Sequence, residues 1–255
     1  MRRCLPWLKG AGIAAMFLLG VVLAGAVMPG LRWLLGRRAS GLCEDIVVHW
    51  NRTVCRILNV RLEITGAPDP AARLLVANHI SWLDIIALGG QCRGQFVAKA
   101  EVADWPVMGY LAKRIGTLFV QRGDAAQTAA TAELMLWRLR QGKRLMLFPE
   151  GTTTPGERVL RFHGRLFQPA GLAGVGVQAV ALGYSGPAKT AAPFIGEDEF
   201  VPHLLGILRL ERIDLSLSYG PLLPAGLDAG GMAALSRRWV AETLAAVPAA
   251  RLGAG

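Results

Sequence analysis

Between Lys9 and Arg32 the chain carries no charged side chain. The run from Gly10 to Leu31 would extend about 33 Å as a helix, the thickness of one bilayer core. Gly20 and Gly25 weaken a helix in water but are ordinary in lipid. Pro29-Gly30 should bend or end it. Such a segment is either a membrane anchor or a cleaved secretory signal. Arg2-Arg3 before the run and Ala24-Gly25-Ala26 within it suit a signal. The anchor is the preferred reading, because the apolar run continues past Ala26 and ends in Arg32, Arg37 and Arg38. Basic residues at both ends leave topology undecided by charge asymmetry. A re-entrant hairpin bending near Pro29-Gly30, with both ends cytoplasmic, fits the same pattern.

The remainder of 255 residues holds one substantial α/β domain and not a second. Hydrophobic residues make up 53%, an excess that must face lipid or a lipid-like ligand. Lys and Arg outnumber Asp and Glu by 28 to 18, which suits acidic headgroups, phosphorylated substrates or nucleic acid. The apolar N-terminus and the lack of a nucleic-acid-binding motif favour lipid and argue against nucleic acid. Cys4, Cys43, Cys55 and Cys92 form no CxxC pair and no disulfide framework, so a reducing setting is expected. His49, His79, His163 and His203 lack metal-ligand spacing, so no metal site is expected.

Leu42, Ile46, Trp50, Val54, Ile57 and Leu58 recur at helical spacing, with Arg52 and Arg56 opposite. They predict an amphipathic helix, lying in the membrane interface or packed on the domain. Val60, Leu62 and Ile64 then alternate with polar residues as in a strand. Short apolar runs follow at 74–77, 96–98, 117–120, 145–148, 177–182 and 213–219, with helical stretches at 125–141 and 232–246. The expected fold is α/β: a mixed, largely parallel sheet covered by helices, with an N-terminal membrane-anchoring helical segment. Residues 1–58 would form the anchor and amphipathic helix, and 59–255 the catalytic domain.

Three clusters carry chemistry. Asn78-His79-Ile80-Ser81-Trp82-Leu83-Asp84 follows the run at 74–77, which puts His79 at a strand end, where α/β sheets place ligands. Ser81 can cap a helix starting at Trp82, with Asp84 in its first turn. The carboxylate then reaches back to hold one imidazole tautomer. A His–Asp pair without a nucleophile of its own suits deprotonation of a substrate hydroxyl. On spacing alone, a capping aspartate and a satisfied loop histidine is the plainer reading. The second cluster, Phe148-Pro149-Glu150-Gly151-Thr152-Thr153-Thr154, also follows a strand. Gly151 lets a ligand approach the backbone, and the hydroxyls can donate to phosphate or glycerol oxygens. An ordinary strand-to-loop turn accounts for it equally well. Third, Arg122 after the strand at 117–120 can grip a phosphate, or stand as a solvated surface arginine.

Taken together these clusters resemble the glycerolipid acyltransferase family, whose members include the 1-acylglycerol-3-phosphate acyltransferases. Asn78, His79 and Asp84 match its NHxxxxD motif. Phe119 and Arg122 match its aromatic-x-x-Arg motif, and Glu150, Gly151 and Thr152 match its Glu-Gly-Thr motif behind Phe148-Pro149. Phe96-Val97-Ala98-Lys99-Ala100-Glu101 and Trp105-Pro106-Val107-Met108-Gly109 look like the intervening segment. The likeness covers residues 74 to about 184. Two positions depart: Thr153 stands where Arg often follows Glu-Gly-Thr, and Ala179 where the fourth motif has Pro. The first removes a phosphate contact and opens the acceptor to lyso-ornithine lipid and other lysolipids. His163 and Arg165 offer other basic groups nearby.

The resemblance implies direct acyl transfer in phospholipid biosynthesis. His79 would deprotonate the acceptor hydroxyl, Asp84 would orient it, and Arg122, Glu150, Gly151 and Thr152 would hold the acceptor's polar head. The most direct acceptor is 1-acylglycerol-3-phosphate, giving phosphatidic acid, with acyl-CoA or acyl-carrier protein as donor substrate and no cofactor or metal. Membrane lipids are the implied partners. The implied location is the membrane, for a bacterial chain the inner one with the site facing the cytoplasm. Two other classes stay open: a hydrolase using Ser81, although no GxSxG elbow surrounds it, and a silent lipid-binding module, against which the His79/Asp84 pair argues.

Overall fold

The computed structural model describes residues 5–121 and 125–246. Its N-terminal part is a helical hairpin. Helix α1 (Leu5–Val22) passes through a π-helical turn (Leu23–Val27) into α2 (Met28–Leu35), and α3 (Ala39–Leu58) returns alongside. Pro29 lies in the first turn of α2 and neither ends nor reverses the helix. Proline cannot donate to a carbonyl four residues back, and the wider π turn directly before it accommodates that loss. The reversal expected near Pro29-Gly30 falls instead at Gly36, whose φ of 55° and ψ of −132° only glycine adopts readily. Met28, Ala39 and Cys43 pack the inside of this turn.

The buried stripe of the first arm is Lys9, Ile13, Met16, Gly20, Ala24 and Met28. Its three- and four-residue spacing is that of one helix face. Trp50 Nε1 on α3 donates to Met16 O at 2.8 Å, and Gly20 lies against Trp50 and Leu111, where a larger residue would crowd both. Lys9 Nζ donates to the carbonyls of Leu58, Leu210 and Glu211 at 3.0, 2.7 and 3.3 Å. It thereby supplies positive charge and donors to the C-terminus of α3 and to the chain leaving a later helix, where carbonyls lack helical partners.

After Asn59, in the left-handed conformation that closes α3, the sheet begins. Its strands are β1 (Val60–Thr65), β2 (Ala72–Ala77), β3 (Gln95–Lys99), β4 (Leu118–Val120), β5 (Leu145–Leu147), β6 (Gly176–Ser185) and β7 (Ile213–Leu222). Their order is β1-β7-β6-β2-β5-β3-β4. All neighbours are parallel except β6 and β7. This is the mixed, largely parallel sheet that the sequence predicts. Alternation divides the core. Leu75, Ala77, Met146, Val180 and Leu182 face one layer; Leu74, Val76, Leu145, Leu147, Val177, Ala179 and Ala181 face the other. The central strands are covered on both sides, hence their continuous apolar runs.

The covering helices are α4 (Trp82–Gly89), α5 (Met108–Ile115), α6 (Ala125–Arg140), α7 (Gln168–Ala173), α8 (Ala188–Ala191), α9 (Phe200–Arg209) and α10 (Ala229–Ala246). Ile13, Met16, Val54, Leu58, Ile86 and Ile207 join the first layer. The second takes Met135 and Leu139 of α6, Ala170 of α7, and Met232, Ala233 and Val240 of α10. The amphipathic face at 42–58 therefore packs on the domain in its second half, while Leu42 stays exposed. Helix α10 starts three residues before the apolar periodicity does, because Asp228 Oδ1 accepts from Gly231 N at 2.6 Å and caps it. Lys9→Met should leave the Leu58 and Leu210 carbonyls short of a donor, while Glu211 O keeps the Asn59 amide at 2.8 Å, at a cost of about 2 kcal/mol. The check is the thermal midpoint in detergent, expected several degrees lower; an unchanged midpoint would remove Lys9 from this role.

Candidate active site

Strand β2 ends at Ala77, and Asn78 fastens the turn beyond it. Its amide donates to Leu182 O at 2.9 Å and accepts from Leu182 N at 2.8 Å, tying the loop to β6. Ser81, with φ −151° and ψ 158°, is the extended residue before α4, and Asp84 is the third residue of that helix. The Asp84 carboxylate reaches back, as first-turn acids do in a capping box. Its Oδ2 accepts from Ser81 N at 2.9 Å, Ile80 N at 2.7 Å and His79 Nδ1 at 2.8 Å. Its Oδ1 accepts from Tyr184 Oη of β6 at 2.7 Å. Asp84 is 0% exposed and the His79 side chain 16%.

An ionised carboxylate only accepts, so Nδ1 of His79 carries the proton and Nε2 keeps a lone pair. The ring lies flat on Phe148, centroids 3.9 Å apart and planes 9° apart, which fixes the direction in which Nε2 points. The backbone of His79 is held from the other side. Its N–H donates to Glu150 Oε1 at 2.9 Å, and its carbonyl accepts from Thr154 N at 2.9 Å. The two motifs, 71 residues apart, are thus one unit built across adjacent strands β2 and β5.

Glu150 is buried, and its second oxygen accepts from Leu160 N at 2.8 Å. Burial pushes its carboxyl above the ordinary carboxylate range, against the pull of the Leu160 and His79 N–H groups. Both oxygens are thus engaged by backbone, and the side chain braces the histidine loop; the expected hold on an acceptor head is not what these contacts provide. Gly151, at φ 74°, closes the turn with its N–H on Phe148 O at 3.0 Å. Thr152 is exposed, whereas Thr153 Oγ1 donates to Phe194 O. Arg122 lies outside the described residues. Ser81 is wholly buried.

Aromatic rings flank the loop. Phe194 N donates to Ile80 O at 2.9 Å, and Trp82, Trp105, Phe194, Phe200 and His203 touch one another. Trp82 Nε1 donates to His203 Nδ1 at 3.0 Å, and His203 Nε2 lies 3.0 Å from Pro193 O. Indole only donates, so this second histidine is held with its proton on Nε2. The sequence gives no sign of Tyr184, Leu160 or Phe194 as partners of the site. Two of those three act through backbone atoms, which any residue supplies, and Tyr184 sits 100 residues from Asp84.

The model of the family described as Acyltransferase matches residues 61–183. A lyso-ornithine lipid O-acyltransferase of Pseudomonas aeruginosa is 38% identical over 236 residues, covering 91% of each chain. A 1-acyl-sn-glycerol-3-phosphate acyltransferase of Neisseria meningitidis is 32% identical over 191 residues, 72% of this chain and 75% of that one. The crystal structure of a 1-acyl-sn-glycerophosphate acyltransferase from Thermotoga maritima shares the fold, with a TM-score of 0.69 and 19% identity, over 98% of this chain and all of that one. A His–Asp pair braced across parallel strands and a relative 38% identical over 91% of each chain together make this chain a member of the acyltransferase family.

Proposed function

We propose that the protein moves a fatty acyl group from acyl-CoA or acyl-carrier protein to a hydroxyl of lyso-ornithine lipid at a membrane. The observation carrying the acceptor is Thr153, which occupies the position after Glu-Gly-Thr and commits its hydroxyl to Phe194 O. The loop beside His79 therefore offers no cation to a phosphate monoester at that place. The relatives named lyso-ornithine lipid O-acyltransferase include the one matched over 91% of its length. A second reading, 1-acylglycerol-3-phosphate as acceptor, draws support from the Neisseria relative and from the Phe119/Arg122 motif.

In the proposed step, His79 Nε2 takes the acceptor's hydroxyl proton as that oxygen attacks the thioester carbonyl. The tetrahedral intermediate collapses, the C–S bond breaks, and the imidazolium returns its proton to the departing thiolate. Asp84, paired to Nδ1, stabilises the imidazolium in between. Glu150 and Thr154 hold the base in place; Thr152, Gly151 and Arg122 are assigned to the acceptor. Burial of Ser81 at the helix cap counts against an acyl-serine route.

Membrane attachment is supported by the first arm. The helical stretch from Leu5 is long and apolar enough to cross a bilayer. Trp7, Leu8 and Leu18 of α1, Trp33 and Leu34 of α2, and Val201 and Leu205 of α9 are exposed. The buried stripe that binds α1 to the domain supports a catalytic loop held near the lipid surface, and on this reading the loop faces the cytoplasm.

With purified protein and labelled acyl donor, kcat/KM should be at least about tenfold higher for lyso-ornithine lipid than for 1-acylglycerol-3-phosphate. The reverse preference would favour the second reading. His79→Ala should lose at least about 10²-fold in kcat while keeping its melting behaviour and membrane binding. Asp84→Asn should also be severe, since an amide presents its NH₂ to the ring and favours the wrong tautomer. A folded His79→Ala protein with full turnover would end the base assignment.

A further inference from the structure

The Asp84 carboxylate is fixed at two points. Its Oδ2 is held by the loop it caps and by His79, through contacts within five residues. Its Oδ1 is held by Tyr184 alone among the described residues, at 2.7 Å, from the neighbouring strand β6. Without that contact the carboxylate could turn about its Cβ–Cγ bond, and the His79 ring would lose a fixed partner. We propose that Tyr184 is a positioning residue for the His79 base, fixing the plane of Asp84 and drawing charge from it by donating to Oδ1. This rests on the base role given to His79 above.

The surroundings make the phenol an obligatory donor. Burial first, then the charge of Asp84, pushes the Tyr184 hydroxyl well above its ordinary range. The titratable groups facing it are Asp84 from α4 and Cys55 from α3, the latter pushed up to about 11 by burial and so uncharged. Ser81 Oγ is its other polar neighbour. Glu150, after β5, faces His79 and Asp84 from the opposite side. A neutral phenol aimed at an ionised carboxylate can only donate to it. A hydrogen bond to a carboxylate lowers its basicity, and a less basic carboxylate stabilises the imidazolium less. Removing the hydroxyl should therefore raise the pH at which His79 becomes an effective base. A tyrosine serving only to fill the core would not produce that shift.

The test compares the full chain in lipid–detergent micelles with Tyr184→Phe and with 2,3-difluorotyrosine, a stronger donor, placed at 184. Tyr184→Phe should lower kcat about tenfold, the rate equivalent of one buried hydrogen bond. Acceptor KM should stay within about twofold, and the acidic limb of the kcat–pH profile should move up by about half a pH unit or more. The fluorinated residue should move that limb down. If Tyr184→Phe folds poorly, the fluorinated protein, which keeps the hydroxyl and the shape, decides alone. Limbs that stay in place, or a lower melting midpoint with an unmoved profile, would overturn the inference and leave a purely structural tyrosine. A failure of the base reading itself looks different, since His79→Ala would then retain turnover.

Discussion

A carboxylate with no exposure to water costs several kcal/mol unless donors replace its hydration. Asp84 is such a group, and the catalytic loop is shaped by the need to supply it. Ile80 N and Ser81 N can both reach Oδ2 only if the chain turns tightly from β2 into α4. That same turn leaves the His79 ring no place but between the carboxylate and Phe148. Glu150 repeats the device on the backbone side, a second buried carboxylate satisfied by two N–H groups. The His79 imidazole is therefore oriented by the fold itself, which is what the proposed base role requires.

The N-terminal helices pack into the same body as the site. Helix α1 uses one face to dock and leaves the other apolar and exposed. Lys9 secures its near end to the chain around Leu58 and Leu210. Helix α9, which packs on α1, carries His203 and Phe200 into the aromatic group beside Trp82, the first residue of α4. Helix α1, the aromatic group and the loop at His79 are thus in continuous contact.

The parts of this architecture legible in sequence are those governed by local rules. His79, Ser81 and Asp84 lie within five residues of one another, so the family motif together with helix-capping rules brings the carboxylate within reach of the imidazole Nδ1. Central strands reveal themselves because both faces are buried, as at 74–77 and 177–182. Other features escape for a physical reason. The role of Glu150 is decided by the N–H groups of His79 and Leu160, and a backbone donor has no residue identity to detect. Tyr184 reads only as one more apolar strand residue until β6 is laid beside β2. Pro29 signals a break, yet the π turn before it absorbs the missing donor, and the chain reverses at Gly36 instead.

The mechanism stands on Asp84 holding His79 with its proton on Nδ1 and a bare Nε2 facing substrate. Nitrogen NMR of the protein labelled at its four histidines, with His79 assigned by loss of its signal in His79→Gln, reads that tautomer directly. His203, held in the opposite tautomer by Trp82, supplies the internal contrast. The expected spectrum at a pH of full activity shows His79 protonated on Nδ1, and the proton moving to Nε2 in Asp84→Asn. A proton on Nε2 of His79 in the unaltered protein would contradict the mechanism at its root.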